Sequence, residues 1–129
     1  MLDLPQYLND ISGAVIGAAI QVHSVLGPGF LESIYELAMV EELSARNIEF
    51  ERQIRIPVHY RGKCIAEHRL DLLVAGEVVI ELKAVSAITE AHAAQTMSYL
   101  KAGAFQLGLI LNFNTAVLRD GIRRVVSSG

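Results

Sequence analysis

Two stretches, His68-Arg69-Leu70-Asp71-Leu72-Leu73-Val74 and Val78-Val79-Ile80-Glu81-Leu82-Lys83, have the apolar character of interior β-strands yet carry Asp71, Glu81 and Lys83. Short runs of this kind on either side of Ala75-Gly76-Glu77 predict a hairpin that sets Asp71 beside the second strand. Side chains alternate along a strand, so Glu81 and Lys83 share one face while Ile80 and Leu82 occupy the other. Buried ions are costly unless they pair or bind a metal. Two carboxylates and an amine together can hold a divalent cation, with the ammonium positioning a water and stabilising charge on a phosphate. The competing reading is an ion pair on a solvated strand face, which adds little stability. Val78, Val79, Ile80 and Leu82 weigh against it because they make the strand internal and central.

Before this pair, Ile48, Phe50, Ile54, Ile56 and Val58 alternate with Glu49, Glu51, Arg55 and His59, which predicts a half-exposed strand or a bent pair of strands. Arg61-Gly62-Lys63 supplies a turn. After it, a third helix is expected over residues 90–102. Phe105-Gln106-Leu107-Gly108-Leu109-Ile110-Leu111 then reads as a buried strand parallel to the Glu81 strand, closed by Asn112-Phe113-Asn114. Around Asp120-Gly121, Ala116 to Leu118 and Ile122 to Val126 form a short hairpin or an edge strand.

The N-terminal part reads as two helices. The first runs from residue 4 or 5 to about 25, with Ile11, Val15, Ala18, Val22 and Val25 or Leu26 on one face. Ala14, Ile16, Ala19 and Ile20 make its other faces apolar too, so it is either enclosed by the fold or covered by a second subunit in a homodimer. Gly27-Pro28-Gly29 ends it. A second helix starts near Phe30, presents Leu31, Ile34, Leu37 and Ala38, and finishes around Arg46-Asn47 with Asn47 as a left-handed cap.

The 129 residues allow one α/β domain over 1–129, and 52% hydrophobic content is enough for a core. A net charge of −3 argues against a protein that coats nucleic acid by bulk electrostatics, while leaving room for a local basic groove or a bound metal. Cys64 is the only cysteine, so an internal disulfide and a thiolate zinc cluster are excluded and a reducing cytoplasm is the expected setting. Residues 11–31 lack Asp, Glu, Lys and Arg, but Gln21, His23, Ser24 and the Gly-Pro-Gly break argue against a membrane span. Asp3 and Asp10 argue against a secretory signal. Repeats, low-complexity tracts, a glycine-rich phosphate loop and a serine-histidine triad are all missing from the sequence.

Gly29-Phe30-Leu31-Glu32-Ser33-Ile34-Tyr35 fits a Gly-x-x-Glu-x-x-Tyr pattern. In order along the chain follow Asp71, Glu81-x-Lys83, Gln95-x-x-x-Tyr99 and a strand from Leu109 to Phe113 with an Asn-Phe end. In these motifs and their spacing the chain resembles the GxxExxY family of the PD-(D/E)XK nuclease superfamily over nearly its whole length. The resemblance implies a restriction-endonuclease-like core, a mixed β-sheet flanked by helices, and a Mg²⁺- or Mn²⁺-dependent phosphodiesterase acting on DNA or RNA. It makes Asp71 and Glu81 the metal ligands and Glu32 a further carboxylate of the metal shell. Lys83 orients or activates the attacking water, and Gln95 and Tyr99, one helical turn apart, position the centre or the substrate. Among carboxylates Lys83 is expected to act by orientation and electrostatics.

Each of these residues has a plainer alternative. Glu32 in the first turn of a helix interacts favourably with the macrodipole by about 0.3–1 kcal/mol. Tyr35 is either part of the site or a core aromatic with its hydroxyl at the rim. Gln95 and Tyr99 share a face with His92 and Ala102, a polar stripe beside Met97 and Leu100. His23 reads as a hydrogen-bonded core histidine before a ligand, His59, His68 and His92 lack metal-ligand spacing, and Cys64 reads as a buried small residue. Arg52, Arg55, Arg61 and Lys63 near the first hairpin, and Arg119, Arg123 and Arg124 in the tail, either solvate edge strands or form a phosphate-guiding rim. Two readings without chemistry stay open: a catalytically silent nuclease-fold binding module, and a dimeric regulatory protein working through its first helix.

Overall fold

A mixed five-stranded sheet of order β1-β2-β3-β4-β5 organises the computed structural model, which describes residues 4–128. Asp3 of the acidic start lies outside the described residues. The chain runs α1 (Gln6–Leu26), α2 (Glu32–Ala45), β1 (Phe50–Tyr60), β2 (Lys63–Val74) and β3 (Val78–Lys83). It continues through α3 (Glu90–Gly103), β4 (Leu107–Asn112), a 3₁₀ turn over Leu118–Gly121 and β5 (Ile122–Val126). β1, β2 and β3 are successive antiparallel neighbours, β4 joins β3 in parallel after the α3 crossover, and β5 closes the edge antiparallel to β4. The Glu81 strand is therefore central, and the tail is an edge strand preceded by a 3₁₀ turn, not a hairpin.

Local chemistry sets the turns. Ala75 and Gly76 have φ of 54° and 67°, and Arg61 and Gly62 have 52° and 78°, the paired positive values of type I′ hairpin turns. Asn47 adopts φ 57° after α2, as its capping role requires. Thr89 caps α3 by accepting the His92 N–H, while His92 Nδ1 accepts the Thr89 N–H, which gives His92 a structural task.

Helices cover both faces of the sheet. On one face Val15, Ala18, Val22, Tyr35, Met39 and Leu43 meet Leu72, Ile80, Leu82, Leu109 and Leu111. On the other, Tyr99 and Leu100 of α3 pack on Leu70, Leu73, Val79, Ile110 and Val125. Gly108 lets α3 come close, because a Cβ there would lie 3.0 Å from Thr96 Cγ2 and 3.3 Å from Leu100 Cδ2.

The buried face of α2 differs from the expected one. α2 buries Tyr35, Met39 and Leu43, whereas Leu31, Ile34 and Leu37 are exposed. The larger stripe wins because Tyr35 stacks on Phe113 with ring centroids 4.5 Å apart. α1 is enclosed on one side only, leaving Ile20 and Val25 exposed, and Leu26 is the residue of its last turn that packs on the core. Cys64 is exposed, because it lies on the part of the β1–β2 ribbon that extends beyond the sheet. No helix among the described residues is long and apolar enough to cross a membrane.

Candidate active site

The β2–β3 ladder pairs Val74 with Val78, Leu73 with Val79 and Leu72 with Ile80. The next residues in register are Asp71 and Glu81, and there the side chains replace the backbone ladder. Asp71 N–H donates to Glu81 Oε2 at 3.1 Å, and Leu82 N–H donates to Asp71 Oδ2 at 2.8 Å. Each strand thus holds the carboxylate of the other with a charge-assisted hydrogen bond. The remaining oxygen of each carboxylate accepts no hydrogen bond among the described residues.

The neighbouring strand bends at the same level. Gln53, at φ 50°, falls between the Arg52–Leu72 and Ile54–Leu70 pairs, opposite Asp71. Phe50 and Leu72 face the α1–α2 side, but Ile54, Ile56 and Leu70 face α3. The ribbon therefore turns over at Gln53 and Asp71, which takes Asp71 out of regular strand alternation.

Charge accumulates around this break. Glu81 is 5% exposed. Burial first, then the Asp71 charge, push its carboxyl up to about 8, against the pull of the Asp71 N–H and Lys83. Burial also raises Asp71; the Leu82 N–H and Lys83 oppose this, and Glu36 adds to it. Glu32, exposed at the start of α2, is raised by partial burial and by Asp71. The Tyr99 hydroxyl is raised by burial and then by Glu81 and Asp71, which ties α3 to the same field. The Asp71 charge thus acts on Glu32, Glu81 and Tyr99. Gln95 is exposed one turn before Tyr99, and its side chain makes no hydrogen bond among the described residues.

A family model of the PD-(D/E)XK nuclease superfamily matches residues 9–125. The chain belongs to the PD-(D/E)XK nuclease superfamily. No curated protein matches it. Asp71 and Glu81-x-Lys83 are compatible with the acidic and Glu-x-Lys parts of the pattern that names the superfamily, with Leu70 where that pattern has proline. The mixed sheet flanked by helices is consistent with the restriction-endonuclease-like fold.

Superfamily nucleases generally use divalent metals, so the donor set matters. Among the described residues no three His, Cys, Asp or Glu side chains converge as a metal-holding group. Two carboxylates with free oxygens do meet, and Mg²⁺ is commonly held by one or two carboxylates, completing its shell with water and substrate phosphate. Oxygen donors of this kind and number suit a hard divalent cation.

Other residues frame the site. The Tyr35 hydroxyl donates to Gly27 O at 2.5 Å and accepts the Phe30 N–H at 3.2 Å, stapling the loop that delivers Glu32. Tyr35 is thus a core aromatic whose hydroxyl organises the α1–α2 turn. His23 Nε2 lies 2.8 Å from Thr115 O, a core histidine as expected. Arg123 pairs with Glu90 and Arg124 bonds Asn9, which removes both from a free basic rim.

Sequence reading missed Glu36. It sits one turn after Glu32, receives Arg52 Nε and Nη2 at 3.2 and 2.9 Å, and receives Gln53 Nε2 at 2.7 Å. This clamp ties the helix bearing Glu32 to the β1 bend opposite Asp71. Two signals marked it: the i, i+4 spacing of the glutamates, and the lapse of apolar alternation at Arg52. Asn112 does more than end a strand. Its Oδ1 accepts the Val85 N–H at 3.1 Å and its Nδ2 donates to Val85 O at 2.9 Å, fixing the segment after Lys83.

Proposed function

We propose that the chain hydrolyses phosphodiester bonds of DNA or RNA with a Mg²⁺ or Mn²⁺ ion held by Asp71 and Glu81, with Glu32 adding negative charge to the shell from α2. The Gly29-x-x-Glu32-x-x-Tyr35 motif supports its placement in the GxxExxY family. When bound, the cation supplies Lewis-acid polarisation of a phosphate oxygen and a more acidic water. Lys83, on the Glu81 side of β3, orients that water and stabilises negative charge on the phosphate. The water oxygen bonds to phosphorus as the bond to the leaving sugar oxygen breaks; solvent takes the water's proton and returns one to the leaving oxygen. Tyr99, with Gln95 a turn away, positions the centre from α3.

The observation that supports the reading is the exchange of amide contacts between the Asp71 and Glu81 segments, which sets a buried Glu81 carboxylate against a half-buried Asp71 carboxylate. A homodimer through the outer face of α1, where Ile20 and Val25 are exposed, belongs to the same reading and is tested by sedimentation. So does a cytoplasmic setting, which suits the lone thiol of Cys64. The functional test is a cleavage assay on single-stranded, duplex and structured DNA and RNA with Mg²⁺ or Mn²⁺. Cleavage that disappears with chelator and in Asp71→Asn and Glu81→Gln proteins is expected; equal cleavage by the variants contradicts the assignment.

A further inference from the structure

Arg55 and Arg69 lie directly opposite each other in the β1–β2 ladder. Like charges in that position destabilise a sheet. Little around them offsets the repulsion: Arg55 makes a long 3.9 Å contact to exposed Glu67, and Arg69 has no ion pair among the described residues. The two arginines, with Glu67 and His68, line a shallow pocket of about 230 Å³. Arg69 is two residues from Asp71, about 7 Å along the strand, and its charge reaches the Asp71 carboxylate.

The ribbon around them is unusual in shape and charge. Only residues 72–74 of β2 pair with β3, so residues 63–70 pair with β1 alone, over about 25 Å. Ile54, Ile56 and Leu70 turn toward α3, and Arg55 and Arg69 alternate with them on the opposite side. Residues 54–70 hold Arg55, Arg61, Lys63 and Arg69 against Glu67, a net +3 in a chain of net −3, so the remainder carries −6. The positive charge is thus gathered on the arm next to the carboxylates. An arginine pair without a close carboxylate partner among the described residues presents planar forks suited to phosphate oxygens.

We propose that Arg55 and Arg69 form a clamp for the phosphodiester backbone of the nucleic-acid strand that enters the carboxylate site. The clamp rests on the hydrolytic reading above for its position, but its own chemistry is binding. It draws the backbone to the site by charge and leaves base identity unread.

The test compares the full-length protein with an Arg55→Gln/Arg69→Gln variant in metal-free buffer, where no cleavage interferes. The probes are a fluorescein-labelled single-stranded DNA, its duplex, and the RNA of the same sequence. Expected is at least a roughly tenfold loss of affinity at low salt for the preferred probe. The slope of log affinity against log salt should flatten by about 1.4 for a single strand or about 1.8 for a duplex, the loss of two phosphate contacts. Both side chains are exposed and repel each other, so the thermal midpoint should equal or exceed that of the unaltered protein. In cleavage assays KM rises while kcat holds. Unchanged affinity and slope with normal cleavage overturn the clamp and leave the nuclease reading intact. Arginine-sensitive binding without metal-dependent cleavage overturns the nuclease reading and leaves the clamp. An unaltered protein that binds none of the probes overturns the clamp.

Discussion

Asp71 and Glu81 hold each other in place through the backbone: the Asp71 N–H donates to the Glu81 carboxylate, and the Leu82 N–H donates to the Asp71 carboxylate. The β2–β3 ladder is thereby extended by side chains where two negative groups meet. Such a break is unfavourable for the protein alone and useful for gripping positive charge.

Glu81 makes that tension measurable. Its carboxyl lies at about 8 in the folded protein against an ordinary value of 4.5, so between these values the folded state binds the extra proton. Metal-free stability therefore falls as pH rises through this window, and the loss is complete above about pH 8. Glu81→Gln should remove this dependence, leaving stability near pH 5 little changed and raising it by a few kcal/mol near pH 9. Urea unfolding at the two pH values checks it, and parallel pH dependence in both proteins counts against the buried protonated carboxyl.

Glu36→Gln breaks the charge-assisted contacts to Arg52 and should cost about 1–2 kcal/mol of stability. It also removes a negative charge that raises Glu32 and Asp71. The acid limb of the cleavage pH profile should therefore move to lower pH, a shift that mere loosening of α2 does not produce. An unmoved limb with reduced stability limits Glu36 to a structural part.

Asn112→Ala leaves the Val85 N–H without its partner and unfastens the segment that follows Lys83. A loss of about 1–3 kcal/mol is expected in denaturant unfolding, together with a fall in kcat larger than the change in KM.

Ala104 is exposed and left-handed after α3, at φ 58° and ψ 38°. Ala104→Gly relieves that conformation and should stabilise the protein by about 1 kcal/mol. Thermal unfolding reads the gain, and a loss of stability contradicts the backbone argument.

The central hairpin was legible because Asp71, Glu81 and Lys83 interrupt apolar runs whose period is otherwise unmistakable. The parallel β4 followed from a helix lying between two buried strands. The buried face of α2 was not legible, since Leu31-Ile34-Leu37 and Tyr35-Met39-Leu43 are both apolar stripes at helical spacing and only the stacking on Phe113 chooses between them. Exposure of Cys64 was likewise hidden, because nothing local says that the β1–β2 ribbon outruns its sheet. The Glu36 clamp depends on partners across the α2–β1 contact, sixteen and seventeen positions away in sequence.

The most direct test of the central claim is calorimetric titration of Mn²⁺ into the full-length protein near pH 7, in two buffers of different ionisation heat. Glu81 holds its proton there, so binding at the shared carboxylates should release about one proton per ion. The account predicts one saturable site with that proton release, lost in both Asp71→Asn and Glu81→Gln. Binding that both variants retain unchanged, or no binding to the unaltered protein, contradicts it.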